Sequence, residues 1–262
     1  MVIELKEEKN NVYFINHSNN FNNINRNRYK QTQLMIKKIE FDYPTSTRGI
    51  INGERIYDIN QEKLPSVTTI LQATQSPEKT KILDDWKKRV GIAQADQIRD
   101  EAAARGSVMH RIVEGYIKNE RHLDLTPMGT LAHKMADKLC KRAIDDRLSE
   151  SWGVEPFLAY QGLFAGQTDL VGVHDGKITM CDHKNSNKPK RKEWLHDSYR
   201  LQLAAYALAF EDMFGISVPR GVNFIVTKDL LYQEFSWEGQ EFRQAKYDWL
   251  KKVDQYYKKV NK

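Results

Sequence analysis

Cysteine is almost missing from this 262-residue chain: Cys140 and Cys181 are the whole supply. Two thiols cannot build a four-cysteine zinc or iron–sulfur site within one chain, and such sparse use fits a reducing compartment. Long apolar runs are missing too. None approaches the roughly 18–20 residues of a membrane-spanning helix, so no membrane partner is expected. The first residues, Met1-Val-Ile-Glu-Leu-Lys-Glu-Glu-Lys9, contain neither a signal-peptide core nor an arginine-rich transit pattern, and a cytoplasmic location is expected. Charge of one sign is in short supply as well. The 41 lysines and arginines exceed the 35 aspartates and glutamates by only six, which permits a polyanionic partner without demanding one.

What is present is enough apolar material, 40% of residues, for a sizeable core. Residues 1–30 stand apart: nine asparagines fall between residues 9 and 28, and such a segment is expected to be flexible. Residues 31–262 read as one domain, and a monomer is expected. Short strands are expected over 34–43 and 55–59, with a turn at Asn52-Gly53, and Ser66 or Thr68 can cap a short helix. Helices follow at about 77–90 (Ile82, Leu83, Trp86 and Val90 on one face), 96–119 and 128–149. Strands near 153–160, 162–174 and 177–185 come next. A helix over 197–213, strands 221–227 and 231–236, and a charged helix from 238 to 259 complete the order.

The densest chemistry lies in residues 165–184. Asp175-Gly176 favours a two-residue type I′ turn between two strands. Counting outward from that turn places Asp169 opposite Asp182, with Cβ atoms roughly 5 Å apart. Strand alternation puts Lys184 on the face of Asp182, with His183 and Cys181 on the other. Val171, Val173, Ile178 and Met180 make the carboxylate face a core face, where unpaired charge is costly. A divalent Mg²⁺ or Mn²⁺ ion would account for two such acids, because hard ions prefer carboxylate oxygens. The bland alternative is a surface hairpin whose aspartates repel while the lysine compensates.

Three further groups accompany the hairpin. His110 and Glu114, spaced i, i+4, share one helix face, and Gly106 one turn earlier would allow a close approach. Gln202 and Tyr206 repeat that spacing on the helix after a basic loop, as substrate contacts or merely as an amphipathic boundary. The loop itself carries Lys188, Lys190, Arg191 and Lys192, with Trp194 behind. Such cations beside an aromatic suit single-stranded nucleic acid, although a solvated loop with a core tryptophan reads equally well.

Taken in order, His110, Glu155, Asp169, Asp182-His-Lys184 and Gln202-x-x-x-Tyr206 resemble the PD-(D/E)XK nuclease pattern of the RecB-like group. Leu64-Pro-Ser-Val-Thr-Thr-Ile-Leu71 with Trp86 downstream, Gly106-x-x-x-His110-x-x-x-Glu114 and Asp182-x-Lys184-x-Ser186-x-Lys-Pro-Lys190 sharpen the likeness. With these features, residues 62–215 resemble the mitochondrial genome maintenance exonuclease family and its phage and bacterial relatives. The resemblance implies an α/β fold with a restriction-endonuclease-like core, a central mixed β-sheet flanked by helices. An N-terminal strand and helical part would cover 31–150 and a catalytic core 151–262. It also implies a Mg²⁺- or Mn²⁺-dependent exonuclease acting on DNA with single-stranded or free ends, in a bacterial or phage-infected cytoplasm. By that likeness His110, Asp169, Asp182 and the His183 carbonyl hold metal, and Lys184 is the catalytic lysine beside Asp169 and Asp182. Glu114, Glu155, Gln202, Tyr206, Ser186, Lys188, Lys190 and Trp194 would bind substrate or support the site. His183 and Asn185 depart from the family's usual aromatic and threonine. An endonuclease of the same fold, or a non-catalytic nucleic-acid-binding module, remain the other readings.

Overall fold

The computed structural model describes residues 36–51, 53–59, 61–120 and 122–260; the asparagine-rich segment and Asn52 of the expected turn lie outside them. Strand β1 (Lys37–Lys38) is followed by β2 (Ser46–Ile51), β3 (Glu54–Ile59) and β4 (Glu62–Pro65), which pair into a small antiparallel sheet. Helices α1 (Val67–Ala73), α2 (Pro77–Val90), α3 (Ile92–Lys118) and α4 (Pro127–Leu139) come next. Then follow β5 (Leu148–Val154), β6 (Phe157–Tyr160), β7 (Phe164–Gln167), β8 (Leu170–His174) and β9 (Lys177–Ser186). Helix α5 (Tyr199–Phe214), β10 (Arg220–Thr227), β11 (Tyr232–Glu238) and α6 (Gly239–Val260) end the described chain.

Six strands form the main sheet in the order β1-β5-β8-β9-β10-β11. β9 and β10 run parallel, joined by the α5 crossover, while β8–β9 and β10–β11 are antiparallel. The sheet is therefore mixed, and strand alternation sends its side chains into two cores. Val171, Met180 and Ile225 pack with α5 and α6 residues on one side. Leu170, Cys181, Val222 and Phe224 pack with α3 and α4 residues on the other. This is the expected α/β architecture, a central mixed sheet flanked by helices.

Local chemistry sets several boundaries. The Ser66 hydroxyl accepts a hydrogen bond from the Thr69 N–H at 2.9 Å and caps α1. Asp175 and Gly176 both have positive φ, 50° and 73°, as a type I′ turn requires.

Other boundaries differ from expectation. The helix expected over 128–149 stops at Leu139; a π-helical turn (Cys140–Ile144) and Asp146 at φ 61° reverse the chain so that Leu148 can enter β5. The strands expected at 153–160 and 162–174 are four shorter ones. Glu155 at φ 56° followed by Pro156 breaks the first, and β6–β7 form a separate two-stranded sheet. Of the strand expected at 34–43, only Lys37–Lys38 pairs among the described residues 36–43, because Phe41 and Tyr43 turn into an aromatic cluster with Phe214. α2 has its expected span, yet none of its residues is buried, and Ile82 is 71% exposed.

Candidate metal centre

The β8–β9 ladder runs from His174↔Lys177 at the turn to Leu170↔Cys181, the register read from the turn dipeptide. Asp169 and Asp182 lie one step beyond its last pair, at the open end of the hairpin. Their carboxylates go different ways. Asp169 accepts a hydrogen bond from the His183 N–H and faces His110, whose Nδ1 is 3.3 Å from its Oδ1. Asp182 is gripped by Lys184 and by the Asn223 amide, whose Nδ2 donates at 2.9 Å.

Glu155 completes the Asp169 side. Its left-handed backbone, uncommon for a non-glycine residue, turns the chain between β5 and β6 and lets its N–H bond the Asp169 carbonyl at 3.0 Å. Gln167 Nε2 holds the Glu155 carbonyl at 2.8 Å. His110 Nδ1 is 3.7 Å from Glu155 Oε1. One donor atom each from His110, Glu155 and Asp169 lie within 4.8 Å of one another. One imidazole nitrogen and two carboxylate oxygens make a fitting donor set for a divalent cation.

The electrostatics follow from crowding. Burial works against a charged His110, but Asp169, together with hydrogen bonds to Asp169 and Glu155, pushes its pKa up to about 10. Burial also opposes charge on Asp169, yet His110 and Lys184 hold its carboxyl well below the usual range. Asp182 is raised instead: burial and the Asp169 charge outweigh Lys184. Burial likewise raises Glu155, against its bond from His110. Lys184 keeps its proton, because Asp182 and Asp169 overcome the cost of burial. His183 points to the other face, its ring 6.0 Å from Phe224, and burial lowers its pKa to about 4.

The remaining expected residues take distinct places. Glu114 is paired to Lys118 at 2.7 Å and lines a cavity of about 480 Å³ with His110, Glu155, Arg48 and Arg111. Gly106 does admit a close approach, but of this chain itself. A Cβ there would lie 2.5 Å from Asn185 Nδ2, and Asn185 is pinned by bonds to Arg105 and the Ala102 carbonyl. Gln202 Nε2 donates to the Tyr206 hydroxyl at 3.3 Å, and Tyr206 is buried against Gly166. Ser186 closes the basic loop by donating to the Lys188 carbonyl at 2.7 Å, and Gln233 clamps the Lys190 backbone. Trp194 is no core residue: it is 58% exposed, with the Arg191 guanidinium 5.4 Å from its ring.

Two contributors were not anticipated. Asn223 lies beside Asp182 across the parallel β9–β10 pair and accepts from Trp237 Nε1 at 3.0 Å. An asparagine inside the apolar run Val222-Asn-Phe-Ile-Val226 was the available signal, since a buried amide must have partners. Tyr199, whose ring lies 5.3 Å from Lys184 Nζ, had no such signal.

Comparison with known proteins adds the lineage. The chain is 26% identical over 183 residues to mitochondrial genome maintenance exonuclease 1 of Mus musculus, covering 65% of this chain and 52% of the relative. The Xenopus tropicalis protein of that name is 25% identical over 219 residues, covering 76% and 57%. The chain thus spans about half the length of the curated relatives it matches. A candidate exonuclease from Eubacterium rectale, known from a crystal structure, aligns at 14% identity with a TM-score of 0.44, covering 61% of this chain and 66% of its own. The family model of the PD-(D/E)XK nuclease superfamily matches residues 85–260, a span that runs from α2 to the end of α6 and takes in His110, Glu155, Asp169, Asp182 and Lys184. Since that match covers more than half of the chain, this protein belongs to the PD-(D/E)XK nuclease superfamily.

Proposed function

We propose that this protein is a divalent-metal-dependent DNA exonuclease that prefers single-stranded ends. One observation carries the reading. At the open end of the β8–β9 hairpin, Glu155 and Asp169 face His110 while the neighbouring Asp182 pairs with Lys184, an excess of carboxylate that folding does not need. His110, Glu155 and Asp169 would hold Mg²⁺ or Mn²⁺, with Asp182 and the His183 carbonyl as further donors. When bound, the ion supplies a water of lowered pKa and a counter-charge for the phosphate.

The chain's own groups do the rest. Lys184 sits against Asp182, and the charges of Asp182 and Asp169 favour its ammonium form over the cost of burial. It faces the charge that builds on the phosphoryl oxygens, worth most in a site screened from water. Asn223 orients Asp182, and Gln167 holds the Glu155 segment, so the acids need not reorganise during reaction. Exposed Trp194 with Arg191 over its ring suits stacking of an unpaired base. The exonuclease names of the relatives support the same activity.

The test uses end-labelled linear single-stranded, duplex and flap DNA, and closed single-stranded circles, with Mg²⁺, Mn²⁺ or EDTA. Linear single strands should be degraded only with metal, and circles spared. Cut circles would favour an endonuclease, and no metal-stimulated cleavage would favour a binding module.

A further inference from the structure

We propose that the cavity between α1, α2, α5 and α6 binds a phosphate of the substrate strand other than the one being cut. The inference rests on the nucleic-acid reading above, but on none of the proposed metal ligands. The cavity is about 230 Å³, with Gln72, Ser76, Lys79, Asp197, Tyr199 and Lys252 in its lining. That is smaller than the roughly 300–1,000 Å³ of pockets that take whole drug-sized ligands, and it fits a compact group better than a nucleoside.

Its position and charge say which group. Tyr199 lines the cavity and also lies against Lys184, so the pocket is one side chain away from the candidate catalytic lysine. Lys79 and Lys252 share the lining with one carboxylate, Asp197, which leaves it net positive. Lys252 Nζ donates to the Thr74 carbonyl at 2.6 Å, which leaves it two further donors. The Lys79 ammonium is half-buried and has neither ion pair nor hydrogen bond among the described residues. Burial lowers its pKa; Asp197 opposes this, and the charges of Lys252 and Lys190 add to the lowering. With Asp197 as the one carboxylate beside Lys79 and Lys252, the cavity retains a surplus positive charge that a further anion would neutralise. A strand crossing the metal centre carries such anions at regular spacing, and no covalent step is involved. The anion can be an internal phosphodiester or a terminal monoester.

The experiment uses the full chain, with Lys79→Gln and the charge-retaining Lys79→Arg. Fluorescein-labelled oligothymidylates carry a 5′-phosphate, a 5′-hydroxyl, or one neutral methylphosphonate linkage at successive positions. Anisotropy in EDTA reads binding against salt, and steady-state cleavage with Mn²⁺ reads KM and kcat. Lys79→Gln should weaken binding and raise KM about three- to tenfold, leave kcat nearly unchanged, and lower the log–log salt slope by about one. Lys79→Arg should restore most of this. One methylphosphonate position should cost the wild type the same factor and Lys79→Gln nothing; if removing the 5′-phosphate does so instead, the anion is terminal. A folded Lys79→Gln protein with wild-type KM and salt slope would overturn the proposal. Wild-type protein that binds DNA but cuts none would sink the nuclease reading alone, and absence of DNA binding would sink both.

Discussion

At the turn end of the β8–β9 hairpin two arginines face two carboxylates, whereas at its open end three carboxylates face one lysine and one histidine. Arg147 reaches Asp175 through Nε and Nη2 at 3.0 and 2.7 Å, and Glu234 through Nη1 and Nη2 at 2.7 and 2.9 Å. Arg220 lies beside both acids and donates to the His174 carbonyl at 3.2 Å. His174 completes that end as a neutral imidazole: its Nε2 is 2.8 Å from the Ala143 carbonyl, and burial lowers its pKa. Charge there is matched and the hydrogen bonds are nearly saturated. The open end is unmatched, and burial raises both Glu155 and Asp182 above their ordinary values. Where only stability is at stake the fold balances its charges. The surplus of acid marks the end where another cation belongs.

The comparison breaks if changes at the two ends have similar effects. The largest contrast should come from Lys184→Met and Asp182→Asn, which should lower cleavage about a thousandfold or more while far-ultraviolet circular dichroism stays unchanged. Activity retained in a clean preparation of either variant would remove the open end from the chemistry. Next, Arg147→Ala should destabilise the protein by about 2 kcal/mol, because it strips charged hydrogen bonds from two acids at once. The expected drop in Tm is about 4–8 °C, with the cleavage rate per folded molecule unchanged.

A smaller effect should mark Glu155→Gln. Removing one crowded carboxylate should leave Tm in EDTA equal to or above that of the wild type. Added Mn²⁺ should raise the wild-type Tm and fail to raise that of the variant. A variant that melts well below the wild type in EDTA would show that Glu155 is held for the fold.

The smallest effect is in the acid limb. Arg147 bonds keep Asp175 below its ordinary pKa; burial raises Glu234, but its bonds from Arg147 and Tyr232 prevail and leave it lowered. A depressed carboxylate stabilises the fold above its unfolded pKa, and that stabilisation fades as pH falls from about 4 toward the folded value. Wild-type Tm should therefore fall more steeply than that of Arg147→Ala in this window. Parallel curves would detach the turn-end pairs from acid stability.

How much of this was legible in the sequence depends on how far apart the participants are. The hairpin register was, because a type I′ turn and a two-residue period leave little choice of pairing. Gln202 with Tyr206 was too, from helical spacing. The α2 span was readable from the spacing of Ile82, Leu83, Trp86 and Val90, but the exposure of Ile82 was not, since amphipathic spacing does not say whether anything covers a face. Gly106 was read as room for a partner; the side chain that fills the room, Asn185, is distant in sequence. Trp194 could have been core or surface on sequence grounds, and packing left it outside.

By itself, then, the sequence determined the span of α2, the hairpin register and the side of β9 that carries Asp182 and Lys184. Those features arise from backbone geometry between near neighbours. Tertiary structure alone decided that Asp169 turns to His110 and Glu155, that Asp182 turns to Lys184 and Asn223, and that a cavity carrying Lys79 and Lys252 adjoins them. Charge and burial at one point sum over elements distant in sequence, so a carboxylate's partners are settled only when those elements pack.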